Sequence, residues 1–148
     1  MITKIEFDHP DVFESLDDVR SAFLMFCNQL QKNSLVVACG DDPEIKKLLS
    51  EYTGQVIKYG FNHDNDYVLQ EVRIEGDHMF FRVSSKGMIL SDFMLRVVGE
   101  HNAMNALSAI IVSLELGLTL EKIKSGLLAC RGSKRRLEFI GELETGAI

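Results

Sequence analysis

The sequence has few of the features that mark exported, membrane-spanning or disordered proteins. Its three cysteines, Cys27, Cys39 and Cys130, lie far apart without a C-x-x-C spacing, so neither a zinc site nor a disulfide framework is predicted. Two prolines, eleven glycines and no tract of one residue type argue against long disordered linkers. No segment approaches the ~18–20 apolar residues of a membrane span, and no signal pattern follows Met1. We therefore expect a cytoplasmic protein.

Positive charge is also scarce. The 16 basic residues are outnumbered by 22 acidic ones, the net charge is −6, and no strongly basic stripe is present. Because phosphate neutralisation supplies most nucleic-acid affinity, neither nucleic acid nor an anionic membrane is an expected partner. What is present is a chain of 148 residues with 46% hydrophobic residues, which is long enough for one compact domain or most of one.

The first half of the chain has the periodicity of alternating strands and helices. Asp11 and Glu14 have the spacing of a capping box, and Asp42 followed by Pro43 is typical of a helix start. The predicted elements are a strand over 2–9, a helix over about 12–32, a strand over 34–39, a helix after Asp42 and a strand over 55–61. Strand, helix and strand in such close order predict a right-handed crossover in a parallel sheet.

The second half changes period twice. From Tyr67 to Val98 the apolar residues alternate, with turn signals at 75–77 and 85–87, which predicts a small antiparallel meander. After Gly99 a helix is predicted that is apolar on nearly all sides, and Thr119 caps a second helix through Cys130. A hinge at 132–133 and a strand over 137–140 follow. The fold class is thus α/β, a mainly parallel sheet with flanking helices plus a small antiparallel meander.

The first candidate site gathers carboxylates around a histidine. Glu6, Asp8 and Asp11 surround His9 at the end of the first predicted strand, where open α/β sheets place ligands. Carboxylate and imidazole groups suit a divalent cation. The alternative interpretation is that Asp11 caps the helix and His9 is a partly exposed loop residue.

The second candidate site is the Gly99-Glu100-His101-Asn102 turn, with Asn105 one turn later. The glycine permits a close approach to the backbone, and a helix N-terminus offers unpaired N–H groups. An asparagine amide donates and accepts at once, which matches the N6 and N7 edge of adenine. Alternatively, Asn102 caps the helix while His101 and Asn105 satisfy buried backbone groups.

The third candidate site is basic. Arg131 and the triplet Lys134-Arg135-Arg136 flank the predicted hinge, and arginine binds phosphate bidentately. A solvated linker explains these charges equally well.

Taken together, the motifs resemble the ATP-dependent Mur ligases of bacterial cell-wall synthesis over essentially the whole chain. The matching segments are IEFDHPDVF near the start, GEHNAMNALSAI at the central helix and GSKRRLEFIGE at the hinge. Within the family, these forms are most similar to the ligases that join UDP-N-acetylmuramate to the tripeptide L-alanyl-γ-D-glutamyl-meso-diaminopimelate. The ligases that add L-alanine come next.

The resemblance implies a P-loop-type sheet, an ATP-dependent carboxylate–amine ligase and a reaction through an acyl phosphate, with Mg²⁺ neutralising charge on the transferring phosphoryl group. It places His9 at the family's magnesium ligand. It places Asn102 and Asn105, with His101 beside them, at the adenine-contacting turn. Arg136 falls on the arginine that reaches the nucleotide from the hinge.

The sequence departs from the family pattern at two points. Lys4 stands where the family usually has asparagine, and no G-x-x-G-K-[ST] phosphate loop occurs. We therefore expect a fragment that is inactive alone. Residues 1–133 would form the latter part of the central ATP-binding domain, and residues 134–148 the hinge and first strand of the C-terminal ligase domain. The missing N-terminal and C-terminal domains of the same chain would be its partners.

A competing hypothesis comes from another class of protein. The same scaffold without ligase chemistry would be a nucleotide-sensing or protein-interaction module. A phosphate loop roughly 60–80 residues upstream, a distance implied by the family resemblance, would distinguish the ligase from such a module.

Overall fold

The computed structural model describes residues 1–132. Within them lie four helices and five strands: α1 Leu16–Asn28, β1 Leu35–Cys39, α2 Pro43–Glu51, β2 Gln55–Gly60, β3 Tyr67–Glu75, β4 His78–Ser85, β5 Met88–Leu95, α3 Glu100–Glu115 and α4 Leu120–Ala129. The predicted α/β fold class is confirmed. The strand predicted over 137–140 lies outside the described residues, and the boundary at 133–134 stays a prediction. None of the described helices is long and apolar enough to cross a membrane.

The five strands form one sheet in the order β1-β2-β3-β4-β5. β1 pairs with β2 and β2 with β3 in parallel, whereas β3, β4 and β5 are antiparallel. The predicted antiparallel meander is present and is continuous with the parallel strands, because β3 belongs to both. The β1 run LVVAC is nearly wholly buried, as expected for a strand covered on both faces.

The parallel pairing of β2 with β3 is unusual for so short a connection. Parallel strands ordinarily need a crossover of about a dozen residues. Here only Tyr59 and Gly60 pair, with Tyr67 and Val68, so β3 starts beside the end of β2 and continues past it. The loop at 61–66 therefore spans only the distance between two adjacent strands, and it does not have to return along the length of β2. The meander thus extends beyond the carboxyl end of β2.

Helix α3 holds the centre of the fold by packing against β1, β2, β3 and β4. Its inward face is fully buried at Ala103, Leu107, Ile110 and Ile111. The expectation that this helix is apolar and buried holds for that face, while Leu116 at its end is 74% exposed. A buried α3 fixes the position of its first turn relative to the ends of the strands.

Two predictions near the amino terminus are wrong. Only Ile2 pairs in the first predicted strand: its N–H donates to the Val37 carbonyl at 2.8 Å, and its carbonyl accepts from Cys39 at 3.0 Å. Ile2 and Ile5 are both buried, but no further residue of the predicted strand pairs with β1.

Helix α1 begins at Leu16, and its cap is Ser15 rather than Asp11. The Ser15 hydroxyl accepts from the Asp18 N–H at 3.2 Å. The chain before it turns at His9, whose φ is 56° and whose carbonyl accepts from Val12 and Phe13 at 2.9 and 3.0 Å. That separate turn occupies the residues that would otherwise begin the helix.

Candidate functional site

A cleft of about 500 Å³ opens at the carboxyl ends of β1 and β2. Parallel α/β sheets bind ligands at this edge because helix N-termini and loops converge there. The residues that line the cleft come from the amino-terminal segment, β1, β2 and the first turns of α2 and α3: Thr3, Lys4, Cys39, Asp41, Asp42, Pro43, Tyr59, His101, Met104 and Asn105.

The α3 side of the cleft contains two of the residues singled out in the sequence. His101 and Asn105 line it, and both are exposed. No side-chain hydrogen bond of either occurs in the described part of the chain, so the imidazole and the amide are open to a ligand. Gly99 makes the turn possible, because its φ is +116° and a Cβ there would lie 2.7 Å from Cε1 of His101.

Asn102, unlike His101 and Asn105, does not line the cleft. Its Nδ2 donates to the Val98 carbonyl at 2.8 Å. The N-cap of α3 is Gly99, without a side-chain cap bond, so Asn102 does not cap the helix. It instead ties the start of α3 to the end of the β5 connection. Its contact with ATP stays a prediction.

The carboxylate of Asp41, which also lines the cleft, binds the loop that follows β2. It accepts from the N–H of Phe61 at 2.6 Å, from the N–H and amide of Asn62 at 3.3 and 2.7 Å, and from the amide of Asn65 at 2.9 Å. Desolvation is the largest single influence and raises the pKa of Asp41, but these hydrogen bonds together outweigh it and lower the pKa. Asp41 is therefore an ionised anchor that holds the loop between β2 and β3.

Close packing around this anchor excludes other residues at Gly60. A Cβ on Gly60 would lie 2.4 Å from Cγ of Asp41. The glycine in the last β2 position is thus required by the approach of the carboxylate rather than by a turn.

Asp42 and Tyr59 also line the cleft. The Asp42 carboxylate accepts from the N–H groups of Glu44 and Ile45 at 3.0 and 2.9 Å, which confirms the predicted cap of α2. Burial, with the charge of Cys39 adding to it and a hydrogen bond with Ser108 opposing it, raises the pKa of Tyr59 to about 12. The phenol is therefore neutral at physiological pH and links β2 to α3.

The predicted carboxylate cluster around His9 does not assemble as a metal site. His9 is 72% exposed, and its nearest carboxylate is its neighbour Asp8, with 3.9 Å between Nε2 and Oδ2. Residues 1–132 contain no group of three or more His, Cys, Asp or Glu side chains that could hold a metal ion. The role of His9 as a metal ligand stays a prediction.

Sequence reasoning missed several members of the lining. Lys4, Asp41 and Tyr59 belong to the cleft but to none of the three candidate sites. Asp41 follows one predicted strand, and Tyr59 lies near the end of the next. The rule that strand ends converge in a parallel sheet would therefore have placed both residues near the cleft. Arg136, the predicted hinge contact, lies outside the described residues.

Comparison with known proteins identifies relatives of this arrangement. Residues 1–113 match the family model described as Mur ligase middle domain. The UDP-N-acetylmuramate-L-alanine ligase of Desulfitobacterium hafniense (strain Y51) is 34% identical over 142 residues, which cover 96% of this chain and 31% of that protein. The chain thus spans about a third of the length of such relatives.

Solved structures agree on the fold. A UDP-N-acetylmuramate-alanine ligase from Thermotoga maritima has a TM-score of 0.77 and 26% identity, covering 93% of this chain and 30% of its own. A MurF ligase from the same organism, solved in complex with ADP, has a TM-score of 0.74 at 15% identity, with coverages of 89% and 30%. The second likeness supports the fold alone.

Proposed function

Because the chain belongs to the Mur ligase family, we propose that it forms the adenine side of the ATP site in a ligase acting on UDP-N-acetylmuramate. The observation that carries this is the pair of open side chains, His101 and Asn105, in the cleft at the strand ends. An amide that can donate and accept suits the edge of adenine, and an imidazole beside it can stack on the base. An amide and an imidazole side by side thus fit a nucleoside.

The phosphate loop of the proposed site would come from outside these 148 residues, because the sequence contains none. The same holds for the regions that would hold the UDP-sugar and the incoming amine, since the chain spans 31% of its relative. We propose that the chain by itself therefore transfers no phosphoryl group. In the complete cytoplasmic enzyme the muramoyl carboxylate would become an acyl phosphate, and the amine would displace phosphate from it.

The relatives bear on which amine is added. The Desulfitobacterium and Thermotoga proteins are both described as alanine ligases. This favours L-alanine over the tripeptide that the motif forms favour. We therefore propose L-alanine as the amine, and steady-state assays of the complete enzyme with each amine distinguish the two.

Replacing Asn105 with alanine tests the adenine assignment. The change removes an exposed amide and leaves the buried face of α3 intact, so the Michaelis constant for ATP should rise about tenfold, the worth of one or two hydrogen bonds. The turnover number should change less, because the contact is made equally in ground and transition states. Steady-state kinetics of the complete enzyme measures both.

The matched control is Asn33→Ala. Asn33 is an exposed asparagine that precedes β1, at the end of the strand away from the cleft. This variant should keep the wild-type Michaelis constant. An Asn105→Ala enzyme with an unchanged constant would show that the adenine binds elsewhere.

A further inference from the structure

The charged side chains that line the cleft differ in how many hydrogen-bond partners they have within the protein. The lining contains one lysine, Lys4, and two aspartates, Asp41 and Asp42. Asp42 is occupied by two backbone N–H groups of α2, and Asp41 by the backbone and amides of the 61–65 loop. Both carboxylates are therefore satisfied inside the protein.

Lys4 is held much more loosely. Its ammonium donates to the Glu6 carboxylate, with 2.5 Å between Nζ and Oε2, and the two side chains are 64% and 63% exposed. Exposed pairs of this kind contribute little to stability and exchange readily with other ions. Glu6 itself is not part of the cleft lining.

The ammonium also stays charged. The hydrogen bond to Glu6 and its charge raise the pKa of Lys4, and the charge of Asp42 adds a smaller contribution. A positive group thus stands at the wall of a cleft whose acids are already satisfied, and its own partner can be replaced by another anion.

We propose that Lys4 binds a phosphate group of the nucleotide in this cleft, releasing Glu6 when the nucleotide enters. This inference rests on the proposed function, because it takes the nucleoside to lie against His101 and Asn105. It gives a role to Lys4, which stands in the amino-terminal motif where the Mur ligases usually have asparagine. A lysine acts on phosphate as a point charge on a flexible stem, so it needs no fixed geometry before the ligand arrives.

The test compares ADP with adenosine as ligands of the complete enzyme, by isothermal titration calorimetry at low salt. In Lys4→Gln the dissociation constant of ADP should rise roughly tenfold, as expected for one charge-assisted hydrogen bond. The affinity for adenosine should be unchanged, because that ligand lacks phosphate. Lys4→Arg should keep most of the ADP affinity, since arginine also binds phosphate.

Glu6→Gln is the matched variant on the other side of the pair. It removes the competing carboxylate and should bind ADP at least as tightly as the wild type. If Lys4→Gln keeps the wild-type ratio of ADP to adenosine affinity, or if Glu6→Gln weakens ADP as much as Lys4→Gln does, the inference is wrong. If the wild type binds neither ligand, the proposed function fails with it.

Discussion

Replacing Leu107 with alanine should lower the free energy of unfolding by about 2–5 kcal/mol. Leu107 is fully buried on the face of α3 that packs against the sheet. Truncation removes three carbon atoms from the core and leaves a cavity, because neighbours in a close-packed interior relax only partly. Urea denaturation followed by circular dichroism measures the loss.

The control for this variant is Leu116→Ala. Leu116 directly follows α3 and is 74% exposed, so the same chemical change should cost no more than about 0.5 kcal/mol. Similar losses in the two variants would contradict the described burial of α3. Because α3 also presents His101 and Asn105, the Leu107 variant should lose nucleotide affinity only where unfolding becomes appreciable.

Replacing Asp41 with alanine should destabilise the protein by roughly 1.5–3 kcal/mol at neutral pH, the range for lost hydrogen bonds to a charged group. The change leaves the donors of Phe61, Asn62 and Asn65 without their acceptor, and the loop between β2 and β3 loses its anchor. Asp64→Ala is the matched control, since it removes the same charge from the same loop. The Asp64 carboxylate accepts none of the hydrogen bonds found among residues 1–132.

The Asp41 effect should also depend on pH with a definite sign. The pKa of Asp41 is lowered by folding from an ordinary value of 3.8, so the carboxylate contributes its full stability above that value. As the pH falls through the lower folded pKa, the contribution is lost. The stability difference between wild type and Asp41→Ala should therefore shrink below about pH 4, whereas a constant difference down to pH 2 would refute the anchor.

Much of the fold is predictable because local signals and burial agree. The Asp42-Pro43 start of α2, the Thr119 cap of α4 and the three alternating strands all lie where the patterns place them. The exceptions lie at the amino terminus. There a left-handed residue, His9, creates a turn, and only Ile2 of the predicted strand pairs with β1.

The candidate site is predictable only in part, because its walls come from four separate segments. The α3 turn was identifiable from Gly99, His101 and Asn105, which are close in sequence. The convergence of strand ends would also have placed Asp41 and Tyr59 near the cleft, but their contacts depend on how β2, β3 and the intervening loop meet in space. The role of Asn102 also depends on a contact with Val98 that no spacing indicates.

A structure of the complete enzyme with ADP bound would show where the adenine lies. We expect the adenine in the cleft at the carboxyl ends of β1 and β2, within hydrogen-bonding distance of the Asn105 amide and beside His101. Adenine bound outside this cleft, with the Asn105 side chain in solvent, would contradict it.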